Sequence, residues 1–247
     1  MKRRTFIKTS ALGGTLLGLY PLLAMNPSTP PLKELIGKGQ PKLYGSDFKL
    51  RKDACEAFLK MKTTALKDGI AIQVVSSYRN FNHQNRIWTN KYNRYIAQGL
   101  SPEKAIEKII EYSTIPGSSR HHWGTDIDII DGNAPQPKTL LIENNYNRNG
   151  VFSKLKNWMD AHAESYGFYL VYTNTPKRKG FKYEPWHYSY KPLSQNYLKA
   201  FCKMDFYNLV KHESLAGHAS ITKSFVDAYI KQNILDINPE LLGALKD

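Results

Sequence analysis

Two short stretches of the chain concentrate side chains that bind metal ions. His121 and Asp128 lie seven residues apart around Gly124, and further along the chain Glu184 precedes His187 by three residues. Imidazole nitrogen and carboxylate oxygen are both zinc ligands, and three such ligands leave one tetrahedral position open for water. We therefore predict that His121, Asp128 and His187 hold a zinc ion. Glu184 beside them is a ready proton acceptor, which is the arrangement of a hydrolase.

Three further side chains compete for the metal. His122 adjoins His121 and points elsewhere in an extended chain, and His162 sits on a predicted helix face, where packing is the simpler role. Asp126 is the more serious rival, because residues two apart on a strand face the same side. We expect Asp126 to orient a ligand rather than to be one.

The pairing of Glu184 with His187 requires a break in the strand that carries them. Residues three apart on a regular strand point to opposite faces of the sheet. Pro185 lies between the two and makes a turn or bulge reasonable, since proline has no N–H to donate to a sheet. With that turn, Glu184 and His187 reach the same site.

An arginine at the end of a predicted strand supplies a fixed positive charge. Arg79 directly follows Tyr78, and its guanidinium suits a developing oxyanion or a substrate carboxylate; a structural salt bridge is the alternative. We expect Tyr78 to form a wall of the pocket. Trp123 and Trp186 either line the pocket or pack in the core.

The segments around these residues alternate between helical and strand patterns. Apolar residues recur at helical spacing over 49–68, 80–99, 102–112 and 152–166, and β-rich runs cover 70–75, 127–130, 168–172 and 183–190. Ser101 is suited to cap the third of these helices. The last two strands predict an antiparallel hairpin that places Glu184 and His187 at a sheet.

The two ends of the chain differ from its middle. Residues 1–24 start with a basic cluster and continue as an apolar run, which is typical of a twin-arginine export signal; a retained membrane anchor is the alternative, although the run is short for one. Residues 25–48 are rich in proline and predict a linker or a wrapping arm. Residues 191–247 show helical spacing and form either a cap on a catalytic domain at 49–190 or a separate helical module.

The composition is that of a folded, basic protein. The 247 residues are 41% hydrophobic and 12% aromatic, which is ample for a packed core, and the net charge of +14 suits anionic partners such as cell-wall polymers. The lysines are scattered, so we predict no nucleic-acid binding, and no feature predicts a partner protein or an organic cofactor. Cys55 and Cys202 are too few for a disulfide framework, and one bridge or two free thiols both remain open.

Three motifs follow one another along the chain. They are Ser76-x-Tyr78-Arg79-x-x-x-x-Gln84, Ser119-x-His121-x-x-Gly124-x-x-x-Asp128 and Glu184-x-Trp186-His187. In this order and spacing the set resembles the zinc D-alanyl-D-alanine carboxypeptidases of the VanY type, which are relatives of the hedgehog-like peptidases. The resemblance covers about residues 49–190.

The resemblance implies an α+β fold class, with a small central antiparallel sheet that carries the zinc and helices on its flanks. It implies zinc as the cofactor, Glu184 as the base and Arg79 as the group that stabilises the charge of the scissile carbonyl. The substrate contacts that it implies are Ser119 and Gln84 near the terminal carboxylate, with Ser76, Tyr78 and Trp186. The family usually has a small residue, most often alanine, where this chain has Asp126, which places an additional charge near the metal.

Motifs and composition together predict an exported zinc metallopeptidase of the periplasm or cell envelope. Its expected reaction is hydrolysis of peptidoglycan stem peptides with release of C-terminal D-alanine. The alternatives are an endopeptidase or L,D-carboxypeptidase on the same zinc site, and a non-catalytic wall-binding protein. Glu184 argues against the last of these, because a structural zinc site needs no base and prefers a fourth protein ligand.

Overall fold

Four short strands form the centre of the computed structural model, which describes residues 29–245. The strands are β1 (Ile72–Ser76), β2 (Asp126–Asp131), β3 (Phe168–Leu170) and β4 (His187–Tyr190). Neighbouring strands pair antiparallel in the order β1-β2-β4-β3. The predicted α+β class with a small antiparallel sheet is confirmed, while the predicted export signal lies outside the described residues.

Helices flank this sheet along the described part of the chain. They are α1 (Leu32–Leu35), α2 (Lys52–Lys67), α3 (Phe81–Ala97), α4 (Pro102–Ile109), α5 (Ser153–His162), α6 (Lys191–Cys202), α7 (Phe206–Val210) and α8 (Lys223–Tyr229). The four helices predicted between residues 49 and 166 are confirmed as α2 to α5, each shorter than its pattern. The predicted cap is also present, because Ser101 Oγ accepts the N–H of Lys104 at the start of α4.

One predicted strand begins later than its pattern indicated. The β-rich run started at residue 183, whereas β4 starts at His187. The preceding residues form a turn instead, in which the N–H of His187 donates to the carbonyl of Glu184 at 3.1 Å, since Pro185 has no N–H for a sheet. β3 and β4 still pair antiparallel, so the predicted hairpin is confirmed with a long connection.

Two hydrophobic clusters pack around the sheet. One is built on α2 and α5 and includes the apolar face of β2, with Phe58, Ile127 and Ile129 fully buried. The other joins α3 and α4 to Leu35 in the N-terminal arm and to the helices after residue 191. The predicted helical character of that C-terminal segment is confirmed, and its buried residues share one core with α3 and α4.

Two further observations bear on the sequence predictions. Cys55 and Cys202 are both free thiols, which decides between the two alternatives that the sequence left open. Between residues 29 and 245, no helix combines the length and the apolar character that crossing a membrane requires.

Candidate metal centre

The facing strands β2 and β4 place two predicted ligands directly opposite each other. Asp128 is paired with His187, and Asp126 with Ser189, in the antiparallel register. Residues that face each other across two strands share a side of the sheet, as do residues two apart on one strand. These four polar side chains therefore converge on the same side.

His121 reaches this point from the 3-10 helix Arg120–Trp123, which precedes β2. Gly124 ends the helix at φ 69°, a left-handed conformation that glycine adopts without steric cost. A Cβ on Gly124 would also come within 2.9 Å of Leu43 Cδ2. The glycine of the motif therefore allows the tight turn that brings His121 next to Asp128.

The three predicted ligands form a compact, buried cluster. The ligand atoms of His121, Asp128 and His187 all lie within 4.8 Å of one another. His121 Nε2 is 3.3 Å from Asp128 Oδ2, and His187 Nδ1 is 3.7 Å from Asp128 Oδ1. Tetrahedral zinc with bonds of about 2.0–2.1 Å holds its ligands roughly 3.3 Å apart. The donor set fits zinc, and buried Asp128 Oδ1, which has no hydrogen-bond partner within residues 29–245, is an atom that a cation would satisfy.

A hydrogen bond at the second ring nitrogen orients each histidine. Nδ1 of His121 lies 2.8 Å from the carbonyl oxygen of Ser77, to which it donates, and this leaves Nε2 for a metal. Nε2 of His187 lies 3.0 Å from Oδ2 of Asp126, and this leaves Nδ1 for a metal. A carbonyl and a carboxylate thus fix the tautomer and the ring angle of the two candidate ligands.

Asp126 is fully buried and is held by several donors. Arg120 Nε donates to Oδ2 at 2.9 Å, and the hydroxyls of Ser189 and Thr125 each donate to Oδ1 at 2.7 Å. Its contact with His187 is at the nitrogen that does not face Asp128, which is the geometry expected of an orienting group. The sequence did not single out Arg120, although it lies inside the central motif, because nothing marked it as the buried counter-ion of Asp126.

Neighbouring charges set the protonation of the cluster. Burial and the guanidinium of Arg79 lower the pKa of His121, so its ring is neutral at neutral pH. Burial raises the pKa of Asp128, but the two histidine rings outweigh burial and bring it down to about 2. Burial lowers the pKa of His187, but the surrounding carboxylates, Asp128 first, outweigh burial and raise it to about 10. His187 is therefore protonated at both ring nitrogens at neutral pH until a metal displaces the proton from Nδ1.

Glu184 contacts the cluster from the turn before β4. Its Oε2 lies 3.0 Å from Nδ1 of His187, and its side chain is buried at the wall of a cleft. Burial raises the pKa of Glu184, although the hydrogen bond with His187 opposes the rise. A carboxyl group whose pKa is shifted toward neutrality is suited to accept a proton and to return it.

Arg79 enters the same cleft from the loop after β1. Its Nη2 lies 3.5 Å from Asp128 Oδ2, and its Nη1 donates to Gln84 Oε1 at 2.9 Å. Gln84 is fully buried and donates in turn to the carbonyl of Thr114 at 3.0 Å. Gln84 therefore orients the guanidinium of Arg79, and its predicted contact with a substrate stays a prediction.

His122 binds backbone groups and is not part of the cluster. Its Nδ1 donates to the carbonyl of Arg79 at 2.7 Å, and its Nε2 accepts the N–H of Gly117 at 3.2 Å. Burial lowers the pKa of the His122 ring to about 3, so the ring is neutral. His122 therefore ties the Arg79 loop to the loop that precedes Ser119.

The cleft beside the cluster has a volume of about 740 Å³. Three of the predicted substrate contacts line it, namely Ser76, Ser119 and Trp186. Tyr78 is not among the lining residues; burial raises the pKa of its phenol, and the nearby positive charge of Arg51 opposes the rise. Tyr172 lines the cleft with its ring centroid 5.2 Å from that of His187, but it belongs to no motif, so only the fold identifies it.

The C-terminal segment supports two loops beside the cleft. Tyr229 in α8 is buried, with its hydroxyl 2.9 Å from Ser118 Oγ, and it accepts the N–H of Ile115 at 3.2 Å. Asp236 accepts the successive backbone N–H groups of residues 179–180 at 2.6 and 2.9 Å. The loop before the central motif and the loop before β4 are thus both held by residues after 191.

A family model described as VanY, D-alanyl-D-alanine carboxypeptidase, matches residues 47–193, which is more than half of the chain and includes the whole sheet. The chain belongs to the VanY family. The matched segment contains every residue of the candidate metal centre, and the helices after residue 193 lie beyond it.

Curated relatives of this VanY-family chain match over part of their length. A D-alanyl-D-alanine carboxypeptidase of Enterococcus faecalis is 26% identical over 154 residues, which cover 60% of this chain and 51% of that protein. An uncharacterized protein of Haemophilus influenzae is 36% identical over 83 residues, which cover 33% of this chain and 63% of that protein. The matches therefore span less than two thirds of each relative.

Solved VanY structures have the same fold. VanYB in complex with D-alanine-D-alanine aligns at a TM-score of 0.52 and 19% identity, over 72% of this chain and 92% of that one. A mutant of the vancomycin-resistance D,D-pentapeptidase VanY in complex with Zn(II) aligns at a TM-score of 0.50 and 19% identity, over 74% of this chain and 89% of that one. The expected D,D-peptidase-like architecture is thereby confirmed.

Proposed function

We propose that this VanY-family chain is a zinc metallopeptidase that hydrolyses peptidoglycan stem peptides and releases their C-terminal D-alanine. The proposal rests on the buried cluster of His121, Asp128 and His187, with Glu184 against it at the wall of an open cleft. Within residues 29–245 the cluster offers three ligands, and a free fourth position is the mark of catalytic zinc sites. Zn(II) and D-alanine-D-alanine in the two related structures support the choice of ion and substrate.

The side chains around the cluster have separate tasks in this reaction. A bound zinc ion would polarise the scissile carbonyl and acidify a water molecule. Glu184 accepts a proton from the attacking water and returns it to the nitrogen of the departing D-alanine. Arg79 offers its guanidinium to the oxygen on which negative charge develops, and Gln84 holds it in that direction. Ser119 and Ser76 present hydroxyl groups to the peptide at the cleft wall.

Export to the periplasm or cell envelope is part of the same proposal. The basic cluster Lys2-Arg3-Arg4 with the apolar run behind it fits a twin-arginine signal, and the excess of Lys and Arg over Asp and Glu in the rest of the chain favours approach to anionic wall polymers. A substrate of the cell wall requires that location.

Mass spectrometry of purified muropeptides tests the reaction. We expect the pentapeptide form to lose one alanine when it is incubated with the protein, and a chelator to block that loss. Loss of alanine from the tetrapeptide form would instead identify an L,D-carboxypeptidase, and internal cleavage would identify an endopeptidase. No change in any muropeptide, with zinc bound, would favour a wall-binding protein.

Zinc binding at neutral pH is expected to release about one proton, because Nδ1 of His187 must lose its proton before it can bind the ion. The pKa of His187 is raised to about 10, whereas that of His121 is lowered and that of Asp128 is about 2, so neither of these has a proton to lose. Zinc affinity should therefore rise as the pH rises from neutral toward the pKa of His187. Calorimetry in buffers of different ionisation enthalpy counts the released protons, and a count of zero would contradict the assignment of His187 as protonated.

The variant Asp126→Asn is expected to weaken zinc binding by about 10- to 100-fold, the usual effect of removing the group that orients a metal-bound histidine. Asparagine keeps the size of the side chain but removes the negative charge next to His187 Nε2. Competition with a chromogenic chelator measures the affinity. The control Ser189→Ala removes one donor to Asp126 but leaves the carboxylate in place, and equal affinities in the two variants would argue against an orienting role.

A further inference from the structure

Helix α3 forms one wall of the cleft and carries only positive charges. Its 17 residues include Arg86, Lys91 and Arg94 but no aspartate or glutamate. By contrast, α4 pairs two of its lysines with glutamates three residues further on. The charge of α3 is therefore not balanced within the helix, and two of these basic residues, Lys91 and Arg94, line the cleft.

The side chains of α3 that line the cleft form a row along the helix. His83, Ile87, Lys91 and Arg94 follow at intervals of three or four residues, which places them on one face. Gln84, at the start of this helix, contacts Arg79. Lys91 comes seven residues later, about 10 Å further along the helix axis at 1.5 Å per residue. The row therefore runs along the cleft wall from the end of α3 that carries Gln84 to the C-terminal half of the helix.

Lys91 is half-buried and has no acidic partner. Its ammonium donates to Ser113 Oγ at 2.5 Å and forms no ion pair with any residue that the structure describes. Burial lowers the pKa of Lys91; Glu184 opposes this effect, whereas Arg94 and Arg79 add to it. A partly desolvated cation without a counter-ion is unfavourable. A ligand that supplies the opposite charge would remove this cost.

We propose that Lys91, assisted by Arg94, binds a carboxylate on the part of the substrate that is retained after cleavage. The inference rests on the proposed function, since a reaction that removes one terminal residue leaves the retained peptide to lie along the rest of the cleft wall. An extended residue spans about 3.3–3.6 Å, so 10 Å along the wall corresponds to about three residues. The specificity of this enzyme would then include an acidic group upstream of the scissile bond.

Two sources of such a carboxylate occur in stem peptides, and synthetic peptides that end in D-alanyl-D-alanine separate them. One source is the side chain of a dicarboxylic diamino acid just before the two alanines, and the other is the free α-carboxylate of a γ-linked glutamate before it. Each carboxylate is amidated in turn, which removes its charge at nearly constant size. We expect one of the two amidations to lower kcat/KM of the unmodified protein by about 10- to 100-fold, as for loss of a charge-assisted hydrogen bond.

The variant Lys91→Met locates this effect. In this variant, kcat/KM for the carboxylate peptide should fall to the value for the amidated peptide, because KM rises. The kcat/KM for the amidated peptide should not change. Lys91→Arg retains the charge and should recover most of the discrimination. Lys60→Met, at an exposed position of α2, matches the change in net charge and should leave the discrimination intact.

A binding experiment separates failure of this inference from failure of the proposed function. Calorimetry measures the affinity of the carboxylate peptide and of the amidated peptide for two zinc-loaded proteins, Glu184→Gln alone and Glu184→Gln combined with Lys91→Met. The measurement needs no turnover. Preference for the carboxylate peptide only with Lys91 would support the subsite even if no peptide is hydrolysed. Equal binding of both peptides with Lys91 present would overturn it. If Lys91→Met lowers kcat/KM equally for both peptides and displaces the pH profile of kcat, Lys91 acts on the pKa of Glu184. That result would also overturn the proposed subsite.

Discussion

Replacement of Glu184 by glutamine is expected to lower kcat for stem-peptide hydrolysis by about 10²- to 10⁴-fold, the usual contribution of a general acid-base group, without loss of zinc. Glutamine has the size and shape of glutamate, so the buried wall of the cleft stays filled. Its amide cannot take up the proton of water and return it. Because Glu184 is not one of the three clustered ligands, the ion should stay in place. Steady-state kinetics and metal analysis of the same preparation measure both quantities.

Glu107→Gln is the matched control for this variant. Glu107 is an exposed acid of α4 that pairs with Lys104, and its replacement should change neither kcat nor zinc content. Full activity of Glu184→Gln would remove Glu184 from the mechanism. Loss of zinc together with activity would instead show that Glu184 helps to hold the ion.

The variant His187→Ala should lose zinc and activity together. The loss of affinity should exceed the roughly 10- to 100-fold expected when only an orienting group is removed, because one of three ligands disappears. The change also takes away the group that neutralises Asp128, Asp126 and Glu184, and loss of one partner from a buried ion pair costs about 3–5 kcal/mol. The zinc-free variant should therefore also unfold at a lower temperature.

Metal content must then be measured on folded protein. Circular dichroism establishes the folded fraction, and elemental analysis after gel filtration gives the zinc bound to it. The control His162→Ala changes an exposed histidine of α5 whose ring lies 4.7 Å from that of Trp158, and it should bind zinc fully. Full zinc content in folded His187→Ala would contradict the assignment of His187 as a ligand.

Several features of the sheet could be predicted from the local geometry of the backbone. The two-residue period of a strand predicted that Asp126 and Asp128 face the same side, and the register of β2 with β4 confirms it. The three-residue spacing of Glu184 and His187 required a turn at Pro185, and that turn is present. Both predictions depend only on backbone geometry within a few residues, which explains why they could be made from the sequence.

The direction in which a side chain points could not be predicted from the motifs. A motif places Gln84 and Tyr78 near Arg79, but it does not say that Gln84 turns behind the guanidinium or that Tyr78 lies near Arg51. These directions are set by packing between α3 and loops distant in sequence. Tyr172 could not be found for the same reason, since its place beside the cleft depends on how the chain returns to β4.

The support of the central motif by α8 has a consequence for the order in which the protein assembles. Tyr229 and Ser118 contact each other across 111 positions of the chain. While the chain grows on the ribosome, His121 and Asp128 emerge long before α8 exists, so the loop in front of them lacks its buried hydroxyl partner. The loop before the central motif therefore gains its buried hydroxyl partner only after α8 has been synthesised and has packed against it.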